Sequence, residues 1–170
     1  MNNTNIRQEI SPYEIENALK LIGKDWMLIT VRNGKKVNAM TASWGCMGIL
    51  WNKPVAICFI RPQRYTYSLA ESEDRFSLCF MDENHRNALG VCGKLSGRDC
   101  DKLALAGISS ETIDGIPIIK EARLTLICRK LYADDLKEDC FADKSLLSNY
   151  TASDYHKMYV LEIEKAYIKN

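Results

Sequence analysis

Three short segments of the sequence carry residue types that suit ligand binding. The first spans residues 38–45 with the sequence NAMTASWG, which is small and polar where a core strand would be bulky. Small side chains let a ligand approach the backbone, so that backbone N–H groups can face it. The same composition also suits a crowded position inside a sheet, and the segment alone names no ligand.

The second segment, residues 61–66 with the sequence RPQRYT, places two arginines beside the expected start of a helix. Pro62 cannot donate to a sheet, so the strand before it should end there. Thr66 then falls at the helix N-terminus, and Ser68 and Glu71 have the spacing of a capping box. Unpaired N–H groups, the helix dipole and two guanidinium groups would all favour a phosphate monoester. A capped helix with two solvated arginines is the alternative.

The third segment, residues 96–102 with the sequence SGRDCDK, alternates in charge after a predicted helix, and a solvated loop is its alternative interpretation. Other site motifs are missing from the sequence. It has no G-x-G-x-x-G or P-loop, its two histidines form no H-E-x-x-H, and its seven cysteines form no C-x-x-C. We therefore expect no metal site, and cysteines that mostly pack as small apolar residues.

Length and composition predict one globular domain over residues 1–170. The net charge of +1 gives no electrostatic basis for binding nucleic acid. The first ten residues lack the features of a secretory signal. The longest nearly apolar run, residues 54–60, is too short for a membrane span. We expect a cytoplasmic protein with reduced thiols and no membrane contact.

The elements that must position these segments are mostly strands. Asn33-Gly34 is a strong hairpin signal because both residues tolerate positive φ, and it should join a strand at residues 26–31 to a partner that begins near Lys36. Apolar and β-branched runs predict further strands at residues 55–60, 76–80, 123–131 and 159–168. The nearly continuous apolar run at residues 124–128 predicts a strand buried on both faces.

Few helices are predicted, and all are short. Ser11, Pro12 and Glu14 predict a capped helix that runs to about residue 21 and ends at Gly23. The remaining helices are predicted at residues 67–73, 84–95 and 101–106. Several strands separated by few helices predict a β-barrel decorated with helices.

Together and in this order, the motifs resemble the flavin reductase-like FMN-binding family, the group that includes flavoredoxin. The match includes residues 38–45, residues 61–66, the pattern SGRDxDK at residues 96–102, and DYHxMYxxEIE at residues 154–164. It covers about residues 24–168. The resemblance implies a mainly β fold with flanking helices, a Greek-key split β-barrel. It also implies a homodimer that binds FMN near the subunit interface.

The same resemblance implies the positions that bind FMN. Six positions lie along the isoalloxazine and ribityl chain by this analogy: Asn38, Met40, Thr41, Ala42, Ser43 and Trp44. The phosphate end is lined by Arg61, Arg64, Tyr65 and Thr66, with a further positive charge from Lys102. Family members often carry a histidine near the flavin where this chain has Asp139-Cys140-Phe141, so no contact is assigned there. The role of His156 stays open between structure and function.

An NAD(P)H-dependent flavin reductase is the leading hypothesis, with NADH or NADPH as the electron donor. The flavin carries the redox chemistry, which explains why no catalytic side chain is expected. The first alternative is an electron-transfer flavoprotein that takes electrons from a protein partner. The second is a barrel that serves only as an interaction module. Trp44 and Trp51 are candidates for subunit or flavin contact, with core packing as the alternative.

Overall fold

The computed structural model describes residues 7–169. Its ten strands are β1 (Arg7–Ile10), β2 (Met27–Asn33), β3 (Lys36–Ala42), β4 (Gly45–Leu50), β5 (Lys53–Ile60), β6 (Arg75–Phe80), β7 (Ser110–Ile113), β8 (Ile116–Ile119), β9 (Leu124–Asp135) and β10 (Lys157–Lys169). Its α-helices are α1 (Ala18–Lys20), α2 (Tyr65–Ser72), α3 (Arg86–Lys94) and α4 (Lys102–Leu105). A mainly β fold with flanking helices is therefore confirmed. None of the helices in residues 7–169 is long and apolar enough to cross a bilayer.

One antiparallel sheet forms the body of the molecule. Its strand order is β3-β2-β6-β9-β10-β5-β4, and β1 also pairs with β10. The two end strands, β3 and β4, follow each other in the chain and are joined only by Ser43 and Trp44. The sheet must therefore curl until its ends meet at this link, although the two end strands do not pair with each other. The result is a barrel with a split between β3 and β4.

Two apolar clusters cover the two faces of this sheet. The first fills the inside of the barrel and contains Ile29 and the fully buried Tyr159. The second lies outside, where α3, α4 and β8 pack on the sheet, and contains Leu28. Leu28 and Ile29 point to opposite faces because side chains alternate along a strand. All of residues 124–128 are buried for the same reason, which confirms the expected doubly covered strand.

The predicted first helix is wrong in extent. Its capping box forms, with Glu14 Oε2 accepting from the Ser11 backbone N–H at 2.7 Å. However, the turn stops after Glu14, because Ile15 is already extended, and Asn17 then adopts a left-handed conformation with φ of 54°. The chain then forms α1 and a wide π-type turn over Leu21–Asp25. Gly23 lies within that turn and does not end it.

The hairpin at Asn33-Gly34 is confirmed: Asn33 pairs with Lys36, and Gly34 has a φ of +60°. Strand β4 was not predicted, because residues 38–45 were interpreted as a ligand-binding segment. Its first residue, Gly45, pairs with Cys58 of β5. A Cβ atom at Gly45 would lie 2.5 Å from the backbone oxygen of Ile57. Glycine at this position therefore allows the strand to pair directly after the two-residue link.

Candidate functional site

A cavity of about 210 Å³ lies at the split, beside the link between β3 and β4. We call it the aromatic pocket; it is lined by Met40, Thr41, Ala42, Ser43, Trp44, Phe59, Arg61, Arg64 and His156. Three of these side chains are aromatic rings. Trp44 is 47% exposed, and its ring centroid lies 5.1 Å from that of His156. The Phe59 ring packs edge-on against the His156 ring, and their centroids are 6.4 Å apart. Such flat apolar surfaces suit contact with a planar aromatic ligand.

His156 is a neutral member of this wall. Burial, with a smaller effect from the positive charge of Arg61, lowers the pKa of its imidazole to about 4, against an opposing effect of Asp154. Its Nδ1 atom lies 2.9 Å from the hydroxyl group of Tyr150. The imidazole is therefore uncharged near pH 7. The structure places His156 in the pocket wall, which the sequence had left open.

Arg61 follows the last residue of β5 and forms hydrogen bonds to a loop that is distant in the chain. It donates to Asp154 Oδ2 at 2.6 Å and to the backbone oxygen of Asn149 at 2.9 Å. Gln63 Nε2 donates to the same carboxylate oxygen at 2.6 Å. These hydrogen bonds lower the pKa of Asp154, and the carboxylate compensates the charge of Arg61. Arg61 lines the aromatic pocket together with Arg64, whereas Lys102 does not line it.

A second depression, of about 120 Å³, adjoins the first. We call it the cationic pocket; it is lined by Gln63, Arg64, Tyr65, Thr66, Lys94, Leu95, Ser96 and Lys102. Arg64 belongs to both pockets and joins them. The two pockets are therefore neighbours that share Arg64: the aromatic pocket is the aromatic end of the candidate site, and the cationic pocket is its basic end.

The cations of the basic end have no acidic partner among residues 7–169. Arg64 Nη1 donates to the backbone oxygen of Gly93 at 2.8 Å. Lys102, only 4% exposed, donates to the backbone oxygens of Leu95 at 3.3 Å and Cys92 at 3.4 Å. Burial lowers the pKa of both side chains, and Arg64 lowers that of Lys102 further. Two desolvated like charges held together are costly unless an anion accompanies them.

Residues at the start of α2 also line this pocket. Arg64 occupies the N-cap position, and no side chain caps the helix. The predicted capping box of Ser68 and Glu71 does not form: Ser68 Oγ donates to the Tyr65 backbone oxygen, and Glu71 binds Lys157 and Tyr159. In the first turn the Tyr67 N–H group donates to the Arg64 backbone oxygen at 2.9 Å, and the start of the helix presents the positive end of its dipole to an anion.

Asn38 and Thr66 form a buried pair behind the cationic pocket. Asn38 Nδ2 donates to Thr66 Oγ1 at 2.8 Å, and the side chains are 3% and 1% exposed. Gly97 packs so closely that a Cβ atom there would lie 2.1 Å from Asn38 Oδ1. The third predicted segment thus contacts the site, and Asp101 caps α4 through the Ala104 N–H group at 3.2 Å.

The predicted site residues separate into three groups. Met40, Thr41, Ala42, Ser43, Trp44 and Arg61 line the aromatic pocket, Tyr65, Thr66 and Lys102 line the cationic pocket, and Arg64 lines both. Asn38 lines neither and lies behind Thr66. Phe59 was missed because it lies within an ordinary strand pattern. Strand alternation, with the buried Cys58 and Ile60 on the other face, is the signal that could have found it.

The sequence and the fold are similar to those of known proteins. The family model described as flavin reductase like domain matches residues 20–170. No curated protein sequence matches the chain.

Among solved structures, an FMN-binding domain of a flavin reductases-like enzyme from Shewanella baltica matches with a TM-score of 0.71 and 17% identity, covering 96% of this chain and 78% of that one. Flavoredoxin from Methanosarcina acetivorans matches with a TM-score of 0.66 and 23% identity, over 85% and 68% of the two chains. An NADH:FAD oxidoreductase from Streptomyces globisporus matches with a TM-score of 0.63 and 14% identity, over 86% and 78%. These likenesses confirm the predicted fold class. Since the family model spans nearly all of the sequence, the chain belongs to the flavin reductase-like domain family.

Proposed function

We propose that this protein binds FMN across the two joined pockets and is an NAD(P)H-dependent flavin reductase. The observation that carries the proposal is the junction at Arg64 of an aromatic pocket and a cationic pocket. FMN has the matching shape, since a planar ring system is linked through a ribityl chain to a phosphate. The phosphate would supply the anion that Arg64 and Lys102 lack among the described residues.

The pocket chemistry also supports a bound redox cofactor. No Asp or Glu lines the aromatic pocket, and its histidine is neutral, so its side chains provide no carboxylate for acid–base catalysis. When bound, a flavin supplies the hydride chemistry, and the protein supplies orientation and electrostatics. Trp44, Phe59 and His156 would hold the ring system. Arg64 and Lys102 would hold the phosphate.

The electron donor we propose is a nicotinamide, either NADH or NADPH. Membership of the flavin reductase-like family supports this choice, as does the likeness to a protein named as an NADH:FAD oxidoreductase. The half-exposed Trp44 leaves the aromatic pocket open to a second planar ring. The alternative is an electron-transfer role, in which a protein partner supplies the electrons. The likeness to a flavoredoxin supports this alternative.

Anaerobic titration of the FMN-loaded protein tests this proposal. We expect NADH or NADPH to bleach the visible flavin absorption faster than it bleaches free FMN under the same conditions. Dithionite serves as the control that shows the bound flavin is reducible. A protein that binds FMN and is bleached by dithionite, but by neither nicotinamide, would support the electron-transfer alternative. A protein that binds no flavin would contradict the proposal and favour an interaction module.

We further propose that the protein is a homodimer that pairs around the open side of the barrel. Strand β4 ends the sheet, and within residues 7–169 no other strand pairs with its outer edge. The edge carries no charged residue, and Ile49 and Trp51 at its end are 59% and 58% exposed. An uncharged and exposed sheet edge is a ready surface for another chain.

Sedimentation velocity measures the assembly. The wild-type protein should sediment with about twice its monomer mass of 19.4 kDa. Ile49→Glu should shift it to the monomer, because a carboxylate would be buried at the interface without a partner. Leu105→Glu is the matched control, since Leu105 is equally exposed, at 62%, but lies on α4. A wild-type monomer that still binds FMN would contradict this part of the proposal.

The cysteines support a location in the cytoplasm, which we propose as the site of activity. All seven are free thiols, and four are buried: Cys58, Cys79, Cys92 and Cys128. Burial raises the pKa of the Cys58 thiol to about 12, so it packs as an uncharged side chain. A reducing compartment keeps such thiols free.

A further inference from the structure

One side-chain atom of Asn38, the amide oxygen Oδ1, has no hydrogen-bond partner among the described residues. The residue lies on β3 and is 3% exposed, and its Nδ2 atom donates to Thr66 Oγ1 at 2.8 Å. Its Oδ1 atom is buried and accepts no hydrogen bond from the described residues. A buried amide whose oxygen accepts no hydrogen bond lowers the stability of the folded protein. Such a group therefore calls for a functional explanation.

The hydrogen bond has a direction that matters for Thr66. A hydroxyl group has one proton to give and can also accept. Since Thr66 Oγ1 already accepts from Asn38, its own proton stays available. In the part of the chain that the structure describes, no carbonyl or carboxylate accepts that proton. Thr66 lies at the start of α2 and lines the cationic pocket, as do Arg64 and Lys102. A ligand bound in that pocket can therefore accept this proton.

Gly97 holds this arrangement in place. Its backbone lies against the Asn38 amide, where a Cβ atom would be 2.1 Å from Oδ1 and 3.3 Å from Tyr65 Cδ1. Any larger residue would push Asn38 away from Thr66. Gly97 thus packs against the amide oxygen of Asn38, while Thr66 lines the cationic pocket.

We infer that Asn38 is a positioning residue, whose amide N–H group makes the Thr66 hydroxyl a dedicated donor to the flavin phosphate. The inference rests on the proposed function and deepens it, because it assigns FMN specificity to a residue that does not line either pocket. It also moves Asn38 away from the isoalloxazine and ribityl contact that the family resemblance implied.

The opposite amide orientation supplies the test. In that orientation Thr66 would donate its proton to Asn38 and would have none left for phosphate. Asn38→Asp imposes this arrangement, because an ionised carboxylate can only accept. The readout is the ratio of the riboflavin and FMN dissociation constants, measured at pH 8 by quenching of flavin fluorescence. A purely structural role of Asn38 would weaken both flavins and leave the ratio unchanged.

Four proteins form the cycle: wild type, Asn38→Asp, Thr66→Val, and the double variant. In each single variant we expect the ratio of the riboflavin and FMN dissociation constants to fall at least ~10-fold. A fall of this size corresponds to the loss of one hydrogen bond to a charged group. In the Thr66→Val background, Asn38→Asp should lower the preference by no more than a few-fold, because the hydroxyl group through which it acts is gone. Thr66→Ser keeps the hydroxyl group and should keep the preference.

Each outcome decides the inference. An equal effect of Asn38→Asp in both backgrounds would overturn it, since the carboxylate would then act by charge alone. Retention of full FMN preference by Thr66→Val would also overturn it. Because valine is nearly isosteric with threonine, this variant tests the inference even where Asn38→Asp does not fold. A wild-type protein that binds FMN and riboflavin equally would overturn the proposed phosphate site together with the inference. A wild-type preference that none of the variants alters would remove the inference alone.

Discussion

Wild-type protein should bind FMN at least ~100-fold more tightly than riboflavin, because two or more hydrogen bonds to a charged phosphate contribute about 1.5–3 kcal/mol each. Riboflavin keeps the ring and the ribityl chain but lacks the phosphate. The cationic pocket should therefore be the only part of the site that distinguishes the two ligands. A phosphate monoester carries a charge of about −1.5 to −2 near neutral pH. Arg64 and Lys102 oppose that charge from a desolvated position.

A pair of lysine variants isolates the charge effect. Lys102→Met keeps the length of a side chain that is 4% exposed, and it should weaken FMN binding at least ~10-fold while changing riboflavin binding by less than ~3-fold. Lys94 lines the same pocket but is exposed, so solvent screens its charge. Lys94→Met should therefore change either affinity by less than ~3-fold. Isothermal titration of both ligands measures all of these values.

The pH dependence gives the same prediction a second readout. Burial lowers the pKa of Lys102 below its usual 10.5. The charged lysine is the form that binds phosphate, so FMN affinity should fall as the pH rises through this lowered pKa. Lys102→Met should remove that loss. Equal binding of FMN and riboflavin by the wild type at pH 7 would show that the cationic pocket does not hold the phosphate.

Local signals explain what the sequence could predict of the fold. The Asn33-Gly34 turn and the apolar run at residues 124–128 depend on backbone preference and on burial, which neighbouring residues determine. The start of α4 at Lys102 follows from the capping residue Asp101 in the same way. The first helix was overestimated because nothing local to Ser11 and Glu14 reveals the left-handed turn at Asn17.

The contacts of the candidate site depend on partners that are distant in the chain. Arg61 was expected at the phosphate end because its segment holds two arginines. Its partner Asp154 lies 93 residues away, and that ion pair holds Arg61 in the wall of the aromatic pocket. Lys102 was expected near the phosphate by resemblance, but only the fold shows that it is buried beside Arg64 without an acidic partner among the described residues. Residue types predicted the class of ligand, whereas tertiary contacts divided the residues between the two pockets.

Stability should decrease as the pH falls from 7 to 5, and His156 should account for about 2 kcal/mol of that decrease, since each pKa unit corresponds to ~1.4 kcal/mol. The pKa of His156 is about 4 in the folded protein, against a usual 6.5. Between these values the unfolded chain binds a proton that the folded chain does not, so protonation favours unfolding. The contribution is fully present above pH 6.5 and is lost progressively as the pH falls towards 4.

The surroundings of His156 explain why protonation is unfavourable there. Trp44 and Phe59 pack against the imidazole ring, and the Tyr150 hydroxyl group is hydrogen-bonded to its Nδ1 atom. The positive charge of the Arg61 guanidinium group also disfavours a protonated imidazole. Asp154 opposes this effect, but its own charge is engaged by Arg61 at 2.6 Å. The pKa of Asp154 is itself lowered below 3.8, so its titration falls below the pH window in which His156 acts.

Urea unfolding at pH 7, 6 and 5 measures the effect, and the only other histidine provides the matched control. His156→Gln should flatten the dependence of the unfolding free energy on pH over this range. His85→Gln is the control for the loss of a histidine elsewhere in the chain, because His85 lies in a separate turn beside Asp82 and does not line the aromatic pocket. Proton NMR gives an independent value, in which the His156 ring signal of the folded protein should not move between pH 7 and pH 5.5. A ring signal that titrates near pH 6.5 would show that His156 is solvated, and the aromatic pocket would then have a charged wall in acid rather than a neutral one.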